Sequence, residues 1–452
     1  THKAGENFDL IVSAYNAATP SVVTPNYSPG QIQFLLDRTG PVLAASVDGS
    51  LTYAAAASLT SATSPVFQNV ILSGFSSGIS SYSGAQYSEV GLLNLDLQDS
   101  NYGGVGITIP AAAINIGRFI PEHFDQTVVE QGSFTATCNS TTTFAYSGQK
   151  DQATDSVGAI RYLTNPILSI AAKNAQGVVT QNYYEDSQGS ANDYMKLSAS
   201  DITITAPSAD EVATGIDTNP LPVTSNMATG TLSQTNLDAS DADFGNALPK
   251  GTLHYELSNS DHFTYDRSAN ALVTPFTADL DFTLTSVADN EGVAATSTSN
   301  VDSITGVSIR FGRLIIDNNF GPETEDLPML MRTEYWDGSK YVTNADDDCV
   351  TYDTDDISNY TLDNNSLNPG LDPSKTSSSG AGTIADGEGP FILAKPTDGS
   401  QGQVRFTYDF TPAWLKFDWD GDTSHDENPS AVATFGLYRG NDRIIYWREV
   451  NN

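Results

Sequence analysis

The sequence predicts an all-β protein built from three consecutive β-sandwich units of immunoglobulin-like type with long polar loops. Only 17% of the 452 residues are charged, whereas Gly, Ser, Thr, Asn and Asp abound, a composition typical of strands and turns. Leu93, Leu95 and Leu97 alternate with polar residues, which indicates a half-buried strand. A chain of this length exceeds one ordinary core, so several domains are expected.

Two short signatures alternate along the chain and predict where the units divide. The first signature is Gly117-Arg118-Phe119, Phe311-Gly312-Arg313-Leu314 and Phe435-Gly436-Leu437. The second pairs Tyr15-Asn16 with Val23-Thr24, Lys173-Asn174 with Val179-Thr180, and Tyr335 with Val342-Thr343-Asn344. Repetition of this kind marks related structural units. The predicted units are residues 1–125, residues 126–321 with a long loop insertion, and residues 322–452.

Short apolar or alternating runs bounded by turn residues predict the strands of each unit. In unit 1 they are residues 8–14, 31–36, 66–72 and 87–100. In unit 2 they are residues 134–138, 143–146, 167–171, 252–257, 280–287 and 308–316. In unit 3 they are residues 402–410, 414–419, 433–438 and 443–448. The polar tracts 206–240 and 353–389 are predicted as long loops.

The charge balance excludes several classes of partner. The chain has 20 Lys+Arg against 55 Asp+Glu, a formal charge of −35. Long-range repulsion therefore opposes binding to nucleic acid or to an anionic membrane surface. No apolar run approaches the roughly 18 residues of a membrane helix, so membrane insertion is not expected. The first residues lack the features of a secretion signal, which suggests a mature or excised fragment.

The two cysteines, Cys138 and Cys349, both lie beside polar, loop-like sequence. An even count without metal-ligand spacing predicts one disulfide if the compartment is oxidising. Such a bond would clamp the second and third units together. The alternative is a pair of buried thiols that do not react with each other.

Asp418, Asp420, Asp422 and Asp426 occupy relative positions 1, 3, 5 and 9 of a calcium-like loop. An EF-hand requires Gly and Glu at positions 6 and 12, where this chain has Thr423 and Pro429, so that motif is excluded. A different Ca²⁺ loop is one interpretation. The other is a tight turn whose aspartates cap their own backbone.

Two further motifs resemble functional sites. Asp346-Asp347-Asp348 beside Cys349, with Asp353, Asp355 and Asp356 after it, form a second acidic cluster. A cation site is one interpretation, and a hydrated surface loop is the simpler one. Gly74-Phe75-Ser76-Ser77-Gly78 matches the nucleophile elbow of hydrolases, but that elbow requires a following helix and the next residues are poor helix formers. No catalytic residue is predicted, and the protein is not expected to be an enzyme.

Several segments carry a family resemblance. They are EYWDGSKYVTNADDDC (334–349), GRFIPEHF (117–124), IRFGRL (309–314) and the terminal run KFDWDGDTSHDENPSAVATFGLYRGNDRIIYWRE (416–449). These segments resemble the C-terminal region of the MshQ family, biogenesis proteins of the mannose-sensitive haemagglutinin (MSHA) type IV pilus. The resemblance implies an extracellular or cell-surface β protein associated with a pilus.

The function expected from composition and resemblance is cell adhesion, by an adhesin or by the stalk that presents one. Its partners would be pilus subunits, a surface receptor or a glycan. One alternative is a secreted hydrolase acting on polysaccharide through an unrecognised carboxylate pair. Another is a structural module of pilus assembly that binds no ligand.

Overall fold

A computed structural model describes residues 1–43, 45–72, 74–139, 142–151, 156–184, 194–207, 220–234, 248–267, 272–355 and 360–436. Within these ranges every regular element is a β-strand except three single turns of 3-10 helix, Ala199–Asp201, Pro373–Lys375 and Ala413–Leu415. The all-β prediction is confirmed. No helix in this part of the chain is long and apolar enough to span a membrane. The predicted strand 443–448 and much of the tract 206–240 lie outside the described residues.

Unit 1 contains ten described strands in two sheets that share one core. The strands are β1 (His2–Lys3), β2 (Phe8–Ser13), β3 (Ile32–Gly40), β4 (Ser50–Ala54), β5 (Ala57–Thr60), β6 (Gln68–Asn69), β7 (Ile79–Tyr87), β8 (Gly91–Tyr102), β9 (Ile107–Pro110) and β10 (Ile114–Ile120). One sheet has the order β1-β10-β8-β3-β6 with β9 beside β8, and the other β2-β7-β4-β5. Alternate residues of β3 are buried, and they pack with Leu51, Tyr87 and Phe119.

Unit 2 contains fifteen described strands around a second core. They are β11 (His123–Glu130), β12 (Ser133–Ala136), β13 (Cys138–Asn139), β14 (Thr143–Tyr146), β15 (Ile160–Thr164), β16 (Ile167–Lys173), β17 (Ile202–Thr205), β18 (Val223–Asn226), β19 (Thr231–Gln234), β20 (Thr252–Glu256), β21 (His262–Tyr265), β22 (Phe276–Thr277), β23 (Leu280–Val287), β24 (Ser299–Ile304) and β25 (Ser308–Arg310). The sheet orders are β11-β16-β20-β19, β12-β15-β21-β18, β17-β23-β24 and β13-β14-β25-β22. Phe134, Ile170, Phe263 and Phe282 lie in the core.

Unit 3 contains eleven described strands and a third core. They are β26 (Gly312–Ile316), β27 (Asn319–Gly321), β28 (Leu327–Trp336), β29 (Tyr341–Thr343), β30 (Thr351–Asp353), β31 (Tyr360–Asp363), β32 (Ser378–Ser379), β33 (Ala381–Thr383), β34 (Glu388–Leu393), β35 (Gly402–Tyr408) and β36 (Ser430–Phe435). The sheet orders are β26-β28-β34-β32 with β29 beside β28, β27-β36-β35-β31, and β30-β33. Residues 312–321 therefore pair with unit 3, although the sequence analysis included them in unit 2.

In each unit an early strand pairs in parallel with the last strand that the structure describes. These pairs are β1 with β10, β14 with β25, and β27 with β36. Their closest Cα partners include His2 and Phe119, Phe144 and Ser308, and Asn319 and Ala433. The sheets are consistent with three sandwich-like units, and the narrower immunoglobulin-like assignment stays a prediction.

The second sequence signature forms the same hairpin in every unit. In unit 1 Tyr15 bridges Val23, and the amide of Thr24 donates to the carbonyl of Ala14 at 2.8 Å. The equivalent bonds are Thr180 to Ala172 at 2.8 Å and Asn344 to Thr333 at 2.9 Å. We call residues 14–27, 172–183 and 333–347 the docking hairpins of units 1, 2 and 3.

A glycine faces each docking hairpin at one fixed position. Gly78, Gly251 and Gly387 have φ values of 78°, 74° and 78°. Their carbonyls accept the amides of Ala14, Ala172 and Thr333 at 2.9, 3.0 and 3.0 Å. A Cβ at these glycines would lie 2.2, 2.2 and 2.5 Å from a hairpin carbonyl oxygen. Both the positive φ and the close approach require glycine, and their threefold recurrence shows that the units repeat one design.

Candidate functional site

The docking hairpin of unit 2 contacts unit 1 through buried hydrogen bonds. The Glu89 carboxylate of unit 1 accepts the amides of Gln181 and Asn182 at 2.9 and 3.0 Å. The Asn182 side chain donates to the Val47 carbonyl at 2.9 Å and accepts the Val47 amide at 2.8 Å. These bonds fix the approach of the two units because each buried polar group depends on the other unit.

Glu89 is an ionisable group buried at this junction. Its side chain is 5% exposed, and burial raises the pKa of its carboxyl group to about 7. The amides of Asn182, Val90 and Gln181 and the nearby Arg38 act in the opposite direction without cancelling the effect of burial. The ionisation state of Glu89 in the junction is therefore expected to change near neutral pH.

The docking hairpin of unit 3 contacts unit 2 through a denser network. The Tyr146 hydroxyl donates to Asp347 at 2.7 Å and accepts from the Asn344 side chain at 2.6 Å. Arg310 pairs with Asp346 at 2.6 Å. Burial raises the pKa of Tyr146 well above its ordinary value, so its hydroxyl keeps its proton.

A disulfide joins Cys138 of unit 2 to Cys349 at the end of this hairpin, with Cα atoms 5.5 Å apart. This pairing is consistent with the prediction from the cysteine count. It places a covalent clamp beside the Tyr146 network. The junction between units 2 and 3 is therefore held by both a covalent bond and buried charges.

The predicted calcium loop is a turn in which the four aspartates separate into two groups. Carboxylate oxygens of Asp418, Asp420 and Glu427 lie within 4.8 Å of one another, and so do those of Asp422, Asp426 and Glu427. Glu427 is common to both groups because its backbone bridges Phe417 across the turn. The sequence pattern did not reveal Glu427, since it is the bridge to Phe417 that brings this side chain to Asp418 and Asp420.

The carboxylates of this turn also accept hydrogen bonds from the turn's own backbone amides. Asp418 accepts the amide of Gly421 at 2.7 Å, Asp420 that of Asp422 at 3.0 Å, and Asp422 that of Ser424 at 2.8 Å. A hydrogen bond from Glu427 to Asp426 raises the pKa of Glu427, whereas bonds from Ser424 and Glu427 lower that of Asp426. The turn thus fits the capping interpretation and offers hard oxygen ligands suited to Ca²⁺.

The second acidic cluster does not form one site. Asp346 pairs with Arg310, Asp347 accepts from Tyr146, and Asp348 accepts the amide of Asp386 at 2.9 Å. Three adjacent aspartates with three different partners act as structural anchors. The segment Gly74 to Gly78 leads directly into strand β7, so it lacks the helix that a nucleophile elbow requires.

Unit 1 bears an open groove of about 640 Å³ beside its docking hairpin. The Tyr27 ring lies parallel to Tyr102 at 6.3 Å and edge-on to Phe75 at 5.2 Å. Asp99 at the base accepts from the Tyr27 hydroxyl at 2.8 Å and the Gln31 amide at 3.1 Å. Burial alone would raise the pKa of Asp99, but these donors lower it.

The repeated sheets and interlocked junctions define a tandem β-sandwich-like protein. The chain belongs to the DUF6701 family, since residues 89–312 match DUF6701, third domain, and residues 310–450 match DUF6701, fourth domain. The two matches meet where strand β26 begins at Gly312. No curated protein matches the chain.

Proposed function

We propose that this protein is an extracellular, pilus-associated surface protein that acts in adhesion without catalysis, as a stalk or as the adhesin it carries. The observation that supports this most is the repeated junction. Two successive docking hairpins bury hydrogen-bonded groups of the preceding unit, which suits a protein that must hold consecutive units in a fixed orientation.

Three further observations support the proposal. A disulfide between units fits an oxidising compartment, the charge of −35 fits a soluble exterior, and the segments 334–349 and 416–449 resemble the MshQ family. Pilus subunits, a receptor or a glycan are the partners this function implies.

Surface labelling tests the location. Intact cells producing the protein are treated with a membrane-impermeant amine reagent, and a cytoplasmic protein of similar lysine content serves as the control. We expect labelling of the chain and none of the control. Confinement to the cytoplasm would contradict the proposal.

A panel of glycans and purified pilus subunits tests the activity. Binding without turnover supports an adhesin, and binding to pilus subunits alone supports a module of pilus assembly. Release of reducing sugar would instead favour the polysaccharide hydrolase.

A further inference from the structure

Unit 3 contains an open cavity of about 630 Å³, a volume within the range of about 300–1,000 Å³ that is usual for small-molecule sites. We call it the unit 3 cavity. Its walls come from strand β30, the end of strand β35 and the 3-10 turn Ala413–Leu415. The residues that line it are 351–353, 408–414 and Lys416. All of them belong to one unit and enclose the cavity from two sides of the chain.

Unit 2 holds one wall of the unit 3 cavity in place. The guanidinium group of Arg267 donates to the carbonyls of Trp414 and Lys416 at 2.7 and 2.8 Å. The same group lies 4.0 Å from the centroid of the Phe311 ring. The backbone of this wall is therefore fixed before a ligand arrives, which lowers the entropic cost of binding.

Two aspartates supply hydrogen-bond acceptors to the cavity. One carboxylate oxygen of Asp353 accepts the amide of Asp355 at 2.9 Å, and one oxygen of Asp409 accepts the Thr361 hydroxyl. Within the described residues the second oxygen of each carboxylate has no partner. Both aspartates are exposed. An ionised carboxylate only accepts hydrogen bonds, so these two groups can engage hydroxyl or amine donors of a ligand.

Two other residues of the same cavity supply donors. The ammonium group of Lys416 forms no hydrogen bond or salt bridge with the described residues, and its charge acts on Asp426 only through space. Trp414 is 5% exposed, and its indole N–H has no hydrogen-bond partner. Both groups only donate. A ligand that satisfies the whole cavity must therefore both donate and accept hydrogen bonds.

An aromatic ring stands at the cavity among these polar groups. Phe410 is 63% exposed, whereas the other aromatic residues of the lining, Tyr352, Tyr408 and Trp414, are buried. The face of an aromatic ring carries partial negative charge, and the C–H groups on one face of a sugar ring carry partial positive charge. The exposed ring can therefore stack on a sugar.

The mixture of charges distinguishes between classes of ligand. An anionic polysaccharide would be repelled by Asp353 and Asp409 and by the net charge of −35. A basic peptide would be repelled by Lys416. A sugar hydroxyl is both a donor and an acceptor, so a neutral saccharide matches the two acceptors and the two donors without repulsion from any of them.

We propose that the unit 3 cavity binds a neutral oligosaccharide. Phe410 stacks on a sugar ring, Asp353 and Asp409 accept hydrogen bonds from sugar hydroxyls, and Lys416 donates to sugar oxygens. This inference rests on the proposed function, because it identifies a neutral glycan as the partner in adhesion and assigns its site to unit 3.

Saturation-transfer NMR on the full 452-residue chain tests binding. The probes are cellotriose, maltotriose and triacetylchitotriose, each at up to about 10 mM, with trilysine as a basic peptide. We expect at least one trisaccharide to bind with a Kd of about 1 mM or lower. Its affinity should change by less than about twofold between about 0.15 and about 1 M NaCl, since the ligand has no charge to screen. Binding of trilysine alone, or of no probe, overturns the proposal.

Two matched pairs of substitutions locate the site. Phe410→Ala should weaken binding by at least about tenfold, whereas Phe320→Ala, which removes a phenylalanine that is 69% exposed on β27, should leave it unchanged. Asp353→Asn should weaken binding about fivefold. Its control is Asp363→Asn, since both aspartates accept the amide two residues further on. Equal effects within either pair overturn the assignment to this cavity.

Hydrogen exchange of the unmodified protein keeps the proposal testable if a variant misfolds. With a bound trisaccharide at about 10 mM, amides of 351–353 and 408–416 should exchange more slowly, whereas those of 319–321 should not change. Protection confined to other parts of the chain overturns the proposal.

The experiments separate failure of this site from failure of the proposed function. If a trisaccharide binds and Phe410→Ala has no effect, this cavity is not the site, while adhesion through a glycan stands. If binding depends on Phe410 but surface labelling finds the protein confined to the cytoplasm, the saccharide site stands and the role in adhesion does not.

Discussion

The two junctions of the chain use the same hairpin but stabilise it with different chemistry. Between units 1 and 2, Glu89 accepts main-chain amides and Asn182 bonds to Val47. Between units 2 and 3, Tyr146 and Asp347 form a buried pair and Cys349 is covalently joined to Cys138. The shared hairpin fixes where the units meet, and the added groups decide how firmly they are held.

The two junctions show that the groups that set the geometry of a junction differ from those that determine its strength. The glycine and the main-chain bonds recur in every unit. The geometry of the hairpin is therefore the same whether a carboxylate or a disulfide lies beside it. Because the pKa of Glu89 is raised, we expect the first junction to respond to pH. Because of its disulfide, we expect the second junction to respond to reductant.

Removing the disulfide should have the largest effect. The bond closes a sequence separation of 211 residues, so Cys138→Ser with Cys349→Ser should lower the free energy of unfolding by about 5 kcal/mol in the chain-entropy model. Denaturant unfolding measures the loss, and unreduced peptide mapping should show the two cysteines linked. Hydrogen exchange should accelerate at 333–347 and not at 172–183. Alkylation of both thiols without reduction would contradict the bond.

Gly387→Ala should break the geometry of the second junction. The new Cβ would lie 2.5 Å from the Asn344 carbonyl oxygen at a φ of 78°, so overpacking and backbone strain together should cost about 3–4 kcal/mol. Gly177→Ala is the control, since its φ is 75° but no atom lies within 4 Å. We expect a loss of only about 1–2 kcal/mol there, measured by thermal unfolding. Equal losses would show that the close approach does not matter.

Glu89 should make the first junction weaker as pH rises. Folded Glu89 holds its proton up to about pH 7, whereas its ordinary pKa is 4.5. The folded state thus binds the extra proton, and its contribution to stability decreases between about pH 4.5 and 7, by at most about 3 kcal/mol. The difference in unfolding free energy between wild type and Glu89→Gln across this range isolates the group. A constant difference would show that Glu89 has no raised pKa.

The smallest effect is expected from calcium at the turn 418–427, where we propose a weak Ca²⁺ site. With a Kd of about 1 mM, about 10 mM Ca²⁺ would stabilise the fold by about 1.4 kcal/mol. Thermal unfolding with calcium or chelator measures the shift. Asp420→Ala should abolish the shift, whereas Asp398→Ala, in another exposed aspartate turn, should preserve it. Identical thermal unfolding curves with calcium and with chelator would show that the turn is a capped loop that does not bind Ca²⁺.

The sequence predicted the strand-rich fold and the repeat because both depend on local patterns. Tyr15-Asn16 with Val23 and Lys173-Asn174 with Val179 occupy equivalent hairpin positions. The sequence alignment of the third copy is wrong by one residue. The positions equivalent to Tyr15 and Val23 are occupied by Glu334 and Thr343, and not by Tyr335 and Val342. The longer hairpin of unit 3 adds a pair between Trp336 and Tyr341, which a short motif cannot reveal.

The sites depend on contacts that sequence patterns do not encode. The role of Glu89 requires unit 2 to supply the amides of Gln181 and Asn182. The groove combines residues from 12–32, 69–75 and 97–112. Residues 10–36 and 100–117 contain no charged residue, but their proximity in the groove follows only from the sheet order.

The bond between Cys138 and Cys349 also has a mechanical consequence. Tension applied to the two ends of this polypeptide would cross from one cysteine to the other through a covalent bond and bypass the chain between them. A separation of 211 residues corresponds to about 700 Å of extended chain. Under oxidising conditions that length cannot be extended by pulling, so the part of unit 2 from Cys138 onward would be shielded from load. Strands β11 and β12 precede Cys138 and would still bear the load.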